Sequence, residues 1–500
     1  MDFDALQLRP VTAVIGLAAV GLLWLLRKPK KNLPPGPRSL PIVGTMLSFN
    51  MADFTDTEKS SKILDKYGDI ITMSLMGQQL IILNSYDVIK EALITKSVQF
   101  ADRGVAKTFT SQRLNPNSSG GIVVRDFDDV GRALRSKCLT ILRDLGAGRA
   151  ALSDAIAREA NDLASAFESH DGRAFEPSET LTAAVANVIL SVSLSQRRDY
   201  ADPELQELIA NVNKFTSSLR IMMLLDLAPF MRVVPQFGRL LQDLLDANSG
   251  VLSFAERQLS SIRANLAEGE RSNFAESFLD FAHERTYPAM PDNEVVLKSI
   301  LRDFLVAGVE TTASSLQWTL IALANNLDVQ ERLHAAVRDV IGDERAYSPN
   351  DSVPYLDAFV WEVQRHFTVT PMGVPRAVST PGDAELAGYT IPKDATILCN
   401  LFAVHHNQKT WGDPEVFRPE RFLNDNGQFV KHTHVIPFGI GKRSCLGELL
   451  ARQELYIFTA MISQRFKILP EEGTDQIDST PDFGFTRVPK PFRIRAMRRH

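Results

Sequence analysis

Cysteine is scarce, with three residues in 500: Cys138, Cys399 and Cys445. They lie far apart and form no Cys-x-x-Cys pair, which argues against a structural zinc site. An odd, sparse count also argues against a disulfide scaffold and suits a reducing compartment. His405-His406 and His432-Thr433-His434 have no acid or cysteine at metal-ligand spacing. No Gly-x-Ser-x-Gly elbow exists, so serine hydrolase chemistry has no support. Positive charge is not in excess: the net charge is −5 with a pI near 6.0, which argues against general nucleic-acid binding. Internal repeats and low-complexity segments are absent. What remains is an ordinary globular balance, 44% hydrophobic and 23% charged, with ample length for a large core. Length alone suggests about three domains.

One apolar run stands out, Val11 to Leu26, followed at once by Arg27, Lys28, Lys30 and Lys31. It is shorter than the ~20 residues that comfortably span a bilayer. Asp2 and Asp4 precede it, and Trp24-Leu25-Leu26-Arg27 ends it, unlike a signal peptide with its basic start and small-residue cleavage site. The expectation is an uncleaved anchor whose basic flank holds the following domain in the cytosol. Leu33-Pro34-Pro35-Gly36-Pro37 then forms a stiff spacer.

Beyond it, Tyr67 to Asn84 alternate apolar and polar side chains around Met76-Gly77-Gln78-Gln79, which predicts a β-hairpin. Most of the chain to about Asn400 reads as helices, among them Arg158–Phe167, Leu205–Val212 and the long stretch Val295–Asn326. Residues 101–121 read as a polar loop. Short strands are expected within 383–400, at Thr390–Ile391 and Thr396–Cys399.

Two stretches carry chemistry. The first is Phe438-Gly439-Ile440-Gly441-Lys442-Arg443-Ser444-Cys445-Leu446-Gly447. Apolar residues at helical spacing begin at Leu446, so Cys445 should sit at or near a helix N-terminus, where unpaired N–H groups favour a thiolate. Glycine lets backbone approach a flat ligand, and Arg443 can pair with carboxylates. The second stretch is the middle of Ser299–Ala324, apolar on most faces and therefore a core helix. Glu310, Thr311 and Thr312 interrupt it beside Ala307 and Gly308. Burying an acid costs several kcal/mol unless it is neutral or partnered. A threonine there can bond back one turn, and Gly308 eases bending.

The cysteine stretch matches the haem-binding loop of the cytochrome P450 family, Phe-x-x-Gly-x-Arg-x-Cys-x-Gly, at every fixed position. Ala307-Gly308-Val309-Glu310-Thr311-Thr312 is similar to the family's oxygen-activation motif, Ala-Gly-x-acid-Thr-Thr. Glu362-Val363-Gln364-Arg365 and Pro419-Glu420-Arg421-Phe422 complete four motifs in the family's order. The proline spacer and Pro437 to Arg443 resemble animal microsomal members of the second family and its clan.

The resemblance implies a mainly α fold with a small β-rich region. It implies an anchor and basic flank at 1–31, a hinge at 32–45 and a catalytic domain at 46–500. Cys445 would be the axial ligand of a haem b iron, framed by Phe438, Gly439, Gly447 and Ala307. Arg443, Arg376 and Arg135 would face the propionates. The family's Trp-x-x-x-Arg pair falls on Gly131 and Arg135, so a tryptophan is missing and weaker or rearranged propionate anchoring is expected. Thr311 would hydrogen-bond dioxygen, with Glu310 passing protons toward it. Glu362, Arg365 and Arg421 would form a buried structural network.

Substrate-lining positions would fall in 101–121, near Ile209–Phe215, and at Phe304, Ala307, Thr370, Val374 and Phe485. Most are apolar, so the substrate would be lipophilic: a steroid, a fatty acid or a foreign compound. No FMN, FAD or nicotinamide module is visible, so electrons would come from NADPH through a separate flavoprotein, NADPH–cytochrome P450 reductase. Cytochrome b5 is a further candidate partner. Arg132, Lys137, Lys442 and Arg452 would offer that reductase a basic patch. The location implied is the endoplasmic reticulum membrane with the catalytic domain in the cytosol. The rivals are a peroxide-rearranging relative, which the Glu310–Thr311 pair speaks against, and a non-enzymatic haem protein.

Overall fold

A computed structural model describes residues 32–40, 44, 45, 48, 50–75, 78–104, 114, 121–146, 150–227, 233–265, 271–284, 293–343, 345–348 and 350–499. The anchor expected at Val11–Leu26, and residues 105–113 and 115–120 of the loop expected at 101–121, lie outside the described residues. No described helix is long and apolar enough to cross a membrane.

A 33-residue helix, Asn293–Asn325, is the axis of the molecule and runs roughly 50 Å. Nearly every face of it is apolar and buried, so it cannot lie on a surface. The helices Ser178–Leu194, Pro203–Leu227, Pro235–Ala264, Pro354–Phe367 and Glu448–Arg465 pack around it. One continuous apolar core joins them, from Leu134 and Phe167 through Leu316 and Trp318 to Phe458. Gly308 matters here for approach rather than bending. The helix is continuous across it, and a Cβ there would meet Ile189 Cδ1 at 2.7 Å.

Among the described residues the strands are few and flank the main helical block in sequence, at Ile70–Leu83 and from Ala384 onward. Strands β1 (Ile70–Leu75) and β2 (Gln78–Leu83) form the antiparallel hairpin that the alternation of side chains demands, with Met76 and Gly77 outside the described residues. β3 (Ala384–Leu386) and β4 (Tyr389–Ile391) form a separate antiparallel pair, and β5 (Thr396–Cys399) adds to β2 in parallel to make a three-stranded sheet. A second apolar cluster covers this sheet and includes Ile436, just before the cysteine loop. Near the C-terminus, β6 (Phe466–Pro470) pairs with β9 (Ile494–Arg498), and β7 (Pro481–Phe483) with β8 (Arg487–Pro489).

Candidate active site

The cysteine loop is held by its own backbone. The Cys445 N–H donates to the Phe438 carbonyl at 2.8 Å, and the Ser444 N–H to the Gly441 carbonyl at 3.0 Å. Gly441 has φ +80° and faces the Leu93 carbonyl so closely that a Cβ would lie 2.0 Å from that oxygen. Only glycine fits both demands. Gly447 caps the helix Glu448–Arg465, which starts three residues after Cys445. Open space lies where a Cβ on Gly439 or Gly447 would sit.

Cys445 is exposed, unlike the buried Cys138 and Cys399. Its sulfur opens into a recess of the protein, where desolvation pushes the thiol pKa up. The Gly447 N–H opposes this, as a helix N-terminus should, but is outweighed. The protein alone therefore does not make the thiolate expected from the sequence. A bound cation would, since a metal deprotonates a coordinating thiol.

Arginines gather beside this loop. Arg443 is buried and donates to the Ala101 carbonyl at 3.0 Å and also to the Arg125 carbonyl. Arg135 donates to the Ser444 carbonyl. Arg376 is buried, and its backbone pairs with Ile397. A fourth member, Arg103, has no signature in the local sequence. It is buried and donates to the Val123 carbonyl at 2.8 Å and the Pro375 carbonyl at 3.2 Å.

None of the four pairs with a carboxylate among the described residues. Burial comes first in pushing each pKa down, and repulsion from neighbouring arginines adds to it at Arg103, Arg135 and Arg443: Arg443 falls to about 10, and Arg103 drops well below its usual range. Clustered buried cations cost several kcal/mol each without an anion.

On the central helix, Ala307 is exposed in mid-helix and Thr311, one turn on, is half-exposed. This stripe marks an open space against an otherwise buried rod. The Thr311 hydroxyl donates to the Ala307 carbonyl at 2.7 Å. Glu310 points elsewhere. Its carboxylate is buried and accepts a very short hydrogen bond from Thr486. Desolvation raises its pKa to about 7, with the Thr486 bond opposing. The Arg487 backbone fixes Thr486 in place, its carbonyl accepting from Trp318 Nε1 at 2.9 Å and its N–H donating to the Val369 carbonyl at 2.8 Å.

Comparison with known proteins gives the family. The family model described as "Cytochrome P450" covers residues 34–496.

This chain belongs to the cytochrome P450 family.

Curated P450 relatives match over the whole length. The chain is 31% identical to cytochrome P450 2D15 of Canis lupus familiaris over 98% of each protein. It is 31% identical to human cytochrome P450 2J2, over 98% of this chain and 96% of the relative. Rabbit (Oryctolagus cuniculus) cytochrome P450 2J1 is 32% identical, over 98% of this chain and 97% of the relative. The chain is thus a P450 monooxygenase of the second-family type, and the family implies haem and a redox partner.

The residues present fit that group. A flat porphyrin needs an open thiol ligand and open space at Gly439 and Gly447, and its two carboxylates need unpaired cations. All three are here.

Behind the P450 cysteine loop, Glu362 is wholly buried and accepts from four groups. They are Arg365 Nε at 2.7 Å, Arg365 Nη2 at 2.8 Å, the Arg418 N–H at 2.8 Å and Arg421 Nε at 3.1 Å. Arg365 also donates to the His405 carbonyl at 2.9 Å. His405 itself is a brace that local sequence does not announce. Its Nδ1 lies 2.9 Å from Thr368 Oγ1, and its Nε2 accepts from the Ile436 N–H at 2.9 Å.

The pocket positions are dispersed. Phe304 stacks at a tilt on Phe274, 4.6 Å between ring centres. Thr370, Val374 and Phe485 are half-buried. The basic patch changes in one member. Arg132 and Lys442 stand exposed, each over the Phe127 ring, but Arg452 turns inward, paired with Glu448 at 3.0 Å and stacked on Phe438 at 4.8 Å. Aromatic faces on Phe438 and Trp361 hold its guanidinium off the surface.

Proposed function

We propose that this P450 is an endoplasmic-reticulum monooxygenase that hydroxylates or epoxidises a lipophilic small molecule: a steroid, a fatty acid or a foreign compound. Two electrons per turnover come from NADPH through NADPH–cytochrome P450 reductase. Cys445 ligates the haem iron. Arg103, Arg135, Arg376 and Arg443 face the propionates. Phe438, Gly439, Gly447 and Ala307 frame the ring. When bound, haem supplies the dioxygen chemistry, and sulfur donation from Cys445 favours O–O cleavage.

The chain's own residues manage protons and water. Thr311 presents a hydroxyl on the open stripe of the central helix. Glu310, poised at about 7, releases or takes a proton at its carboxylate near neutral pH. Its reach toward Thr311 needs a rotamer change or a bridging water, because its bond to Thr486 points it the other way. Phe304, Ala307, Thr370, Val374 and Phe485 orient the apolar substrate and keep bulk water out. Glu362, Arg365 and Arg421 serve structure by stiffening the bed of the cysteine loop.

The single supporting observation is an exposed cysteine beside buried arginines that lack anions. The test is the Cys445→Ser variant, with the ferrous carbon-monoxide spectrum read on the purified protein. Loss of the thiolate-type Soret band is expected, and its persistence would overturn the assignment. NADPH consumption with a lipophilic substrate should require added reductase.

A further inference from the structure

Arg125 is a fifth arginine at this site, with a different problem. Its Nε and Nη1 atoms are buried and have no hydrogen-bond partner among the described residues. Asp128 Oδ1 forms an ion pair with Nε at 3.5 Å without a hydrogen bond to it, and the same oxygen accepts from the Gly131 N–H at 2.6 Å. A buried guanidinium left in this state is costly unless an acceptor arrives.

Its place in the fold says which acceptor. A Cβ on Gly131 would lie 3.6 Å from Arg125 Cδ and 2.4 Å from the Asp126 carbonyl oxygen. The Arg125–Asp126 segment therefore fills the room that a large side chain at position 131 would need. The same segment is tied to the arginine cluster. The Arg125 carbonyl accepts from Arg443, and the Val123 carbonyl from Arg103.

We propose that Arg125 is a carboxylate anchor: it donates Nε–H and Nη1–H to a propionate of the bound haem and replaces the indole missing at Gly131. The proposal rests on the haem reading above. A guanidinium offers two parallel donors and a full charge where an indole offers one neutral donor. The anchoring expected to be weaker from Gly131 alone is in this way restored by a residue six positions earlier.

The test uses purified holoenzyme with Arg125→Gln and Arg125→Lys. Haem transfer to excess apomyoglobin is timed for native haem and for haem whose propionates are methyl esters. Arg125→Gln should speed loss of native haem roughly tenfold to a hundredfold, the range for one charge-assisted bond. Arg125→Lys should recover part of the difference. The ester form should erase it. Unchanged loss in Arg125→Gln, or equal acceleration with the ester form, overturns the proposal.

A substrate carboxylate is the other possible acceptor. Spectral titrations with a long-chain fatty acid and its methyl ester separate it. If Arg125→Gln weakens only acid binding and leaves haem loss unchanged, the anchor belongs to substrate and the proposal fails. The carbon-monoxide spectrum is recorded alongside. A thiolate-type band in these samples keeps the haem-thiolate reading standing whatever Arg125 does, and its absence from the unmodified protein would sink that reading instead.

Discussion

Glu310 offers the sharpest energetic test, because its burial leaves a mark on stability that needs no substrate. Its carboxyl has a pKa of about 7 in the folded chain, against an ordinary value of 4.5. The folded state thus holds a proton that the unfolded state releases between those values. Stability falls as pH rises through that window, and the penalty is complete above about 7. The gap corresponds to roughly 3 kcal/mol at full development. Roughly 1 kcal/mol of it is already present at pH 5.5, so about 2 kcal/mol should develop between pH 5.5 and 8.

Glu310→Gln keeps the shape and the acceptor for Thr486 but cannot titrate. Urea unfolding of both proteins across that range gives the comparison. The variant should gain on the unmodified protein by about 2 kcal/mol as pH rises. Thr486→Val removes the bond that holds this pKa down, so the window should move upward. A stability difference between Glu310→Gln and the unmodified protein that stays flat with pH would refute the reasoning.

Two further outcomes follow from other parts of the site. Glu362→Ala leaves the buried guanidinium of Arg365 without a carboxylate, while Arg421 keeps Asp413 at 3.1 Å, and should cost roughly 3–5 kcal/mol in urea unfolding. A loss below about 1 kcal/mol would show that water or another acceptor takes over. Gly441→Ala forces a Cβ onto the Leu93 carbonyl at a left-handed φ. It should cost about 1–3 kcal/mol and lower haem content on purification, and full haem loading at unchanged stability would contradict that.

Local spacing made part of this site readable. The Phe438–Gly447 stretch encodes its loop in glycines whose backbone demands are local, and the central helix shows itself through an unbroken apolar run. The hairpin at Ile70–Leu83 follows from alternation in the same way. Other determinants depend on closure over long distances. Thr486 meets Glu310 across 176 residues, and Arg443 reaches Ala101 across 342. Arg103 and Arg125 sit in loops with no periodicity, so only the folded chain shows Arg103 buried, and Arg125 half-buried, beside Arg443. The inward turn of Arg452 was hidden for a related reason. A surface cation and one stacked on Phe438 have the same letter, and only packing tells them apart.

His405 has a pKa pushed down to about 3, chiefly by burial and then by neighbouring Arg365. It therefore stays neutral throughout the range in which Glu310 changes charge. The imidazole works as a mechanical cross-member, coupling the end of the Pro354–Phe367 helix to the approach of the sulfur-bearing loop without reporting acidity to either. The titration of Glu310 and the seat of the Cys445 loop are in this way insulated from one another. A change of cellular pH can retune the first while the geometry of the second stays fixed.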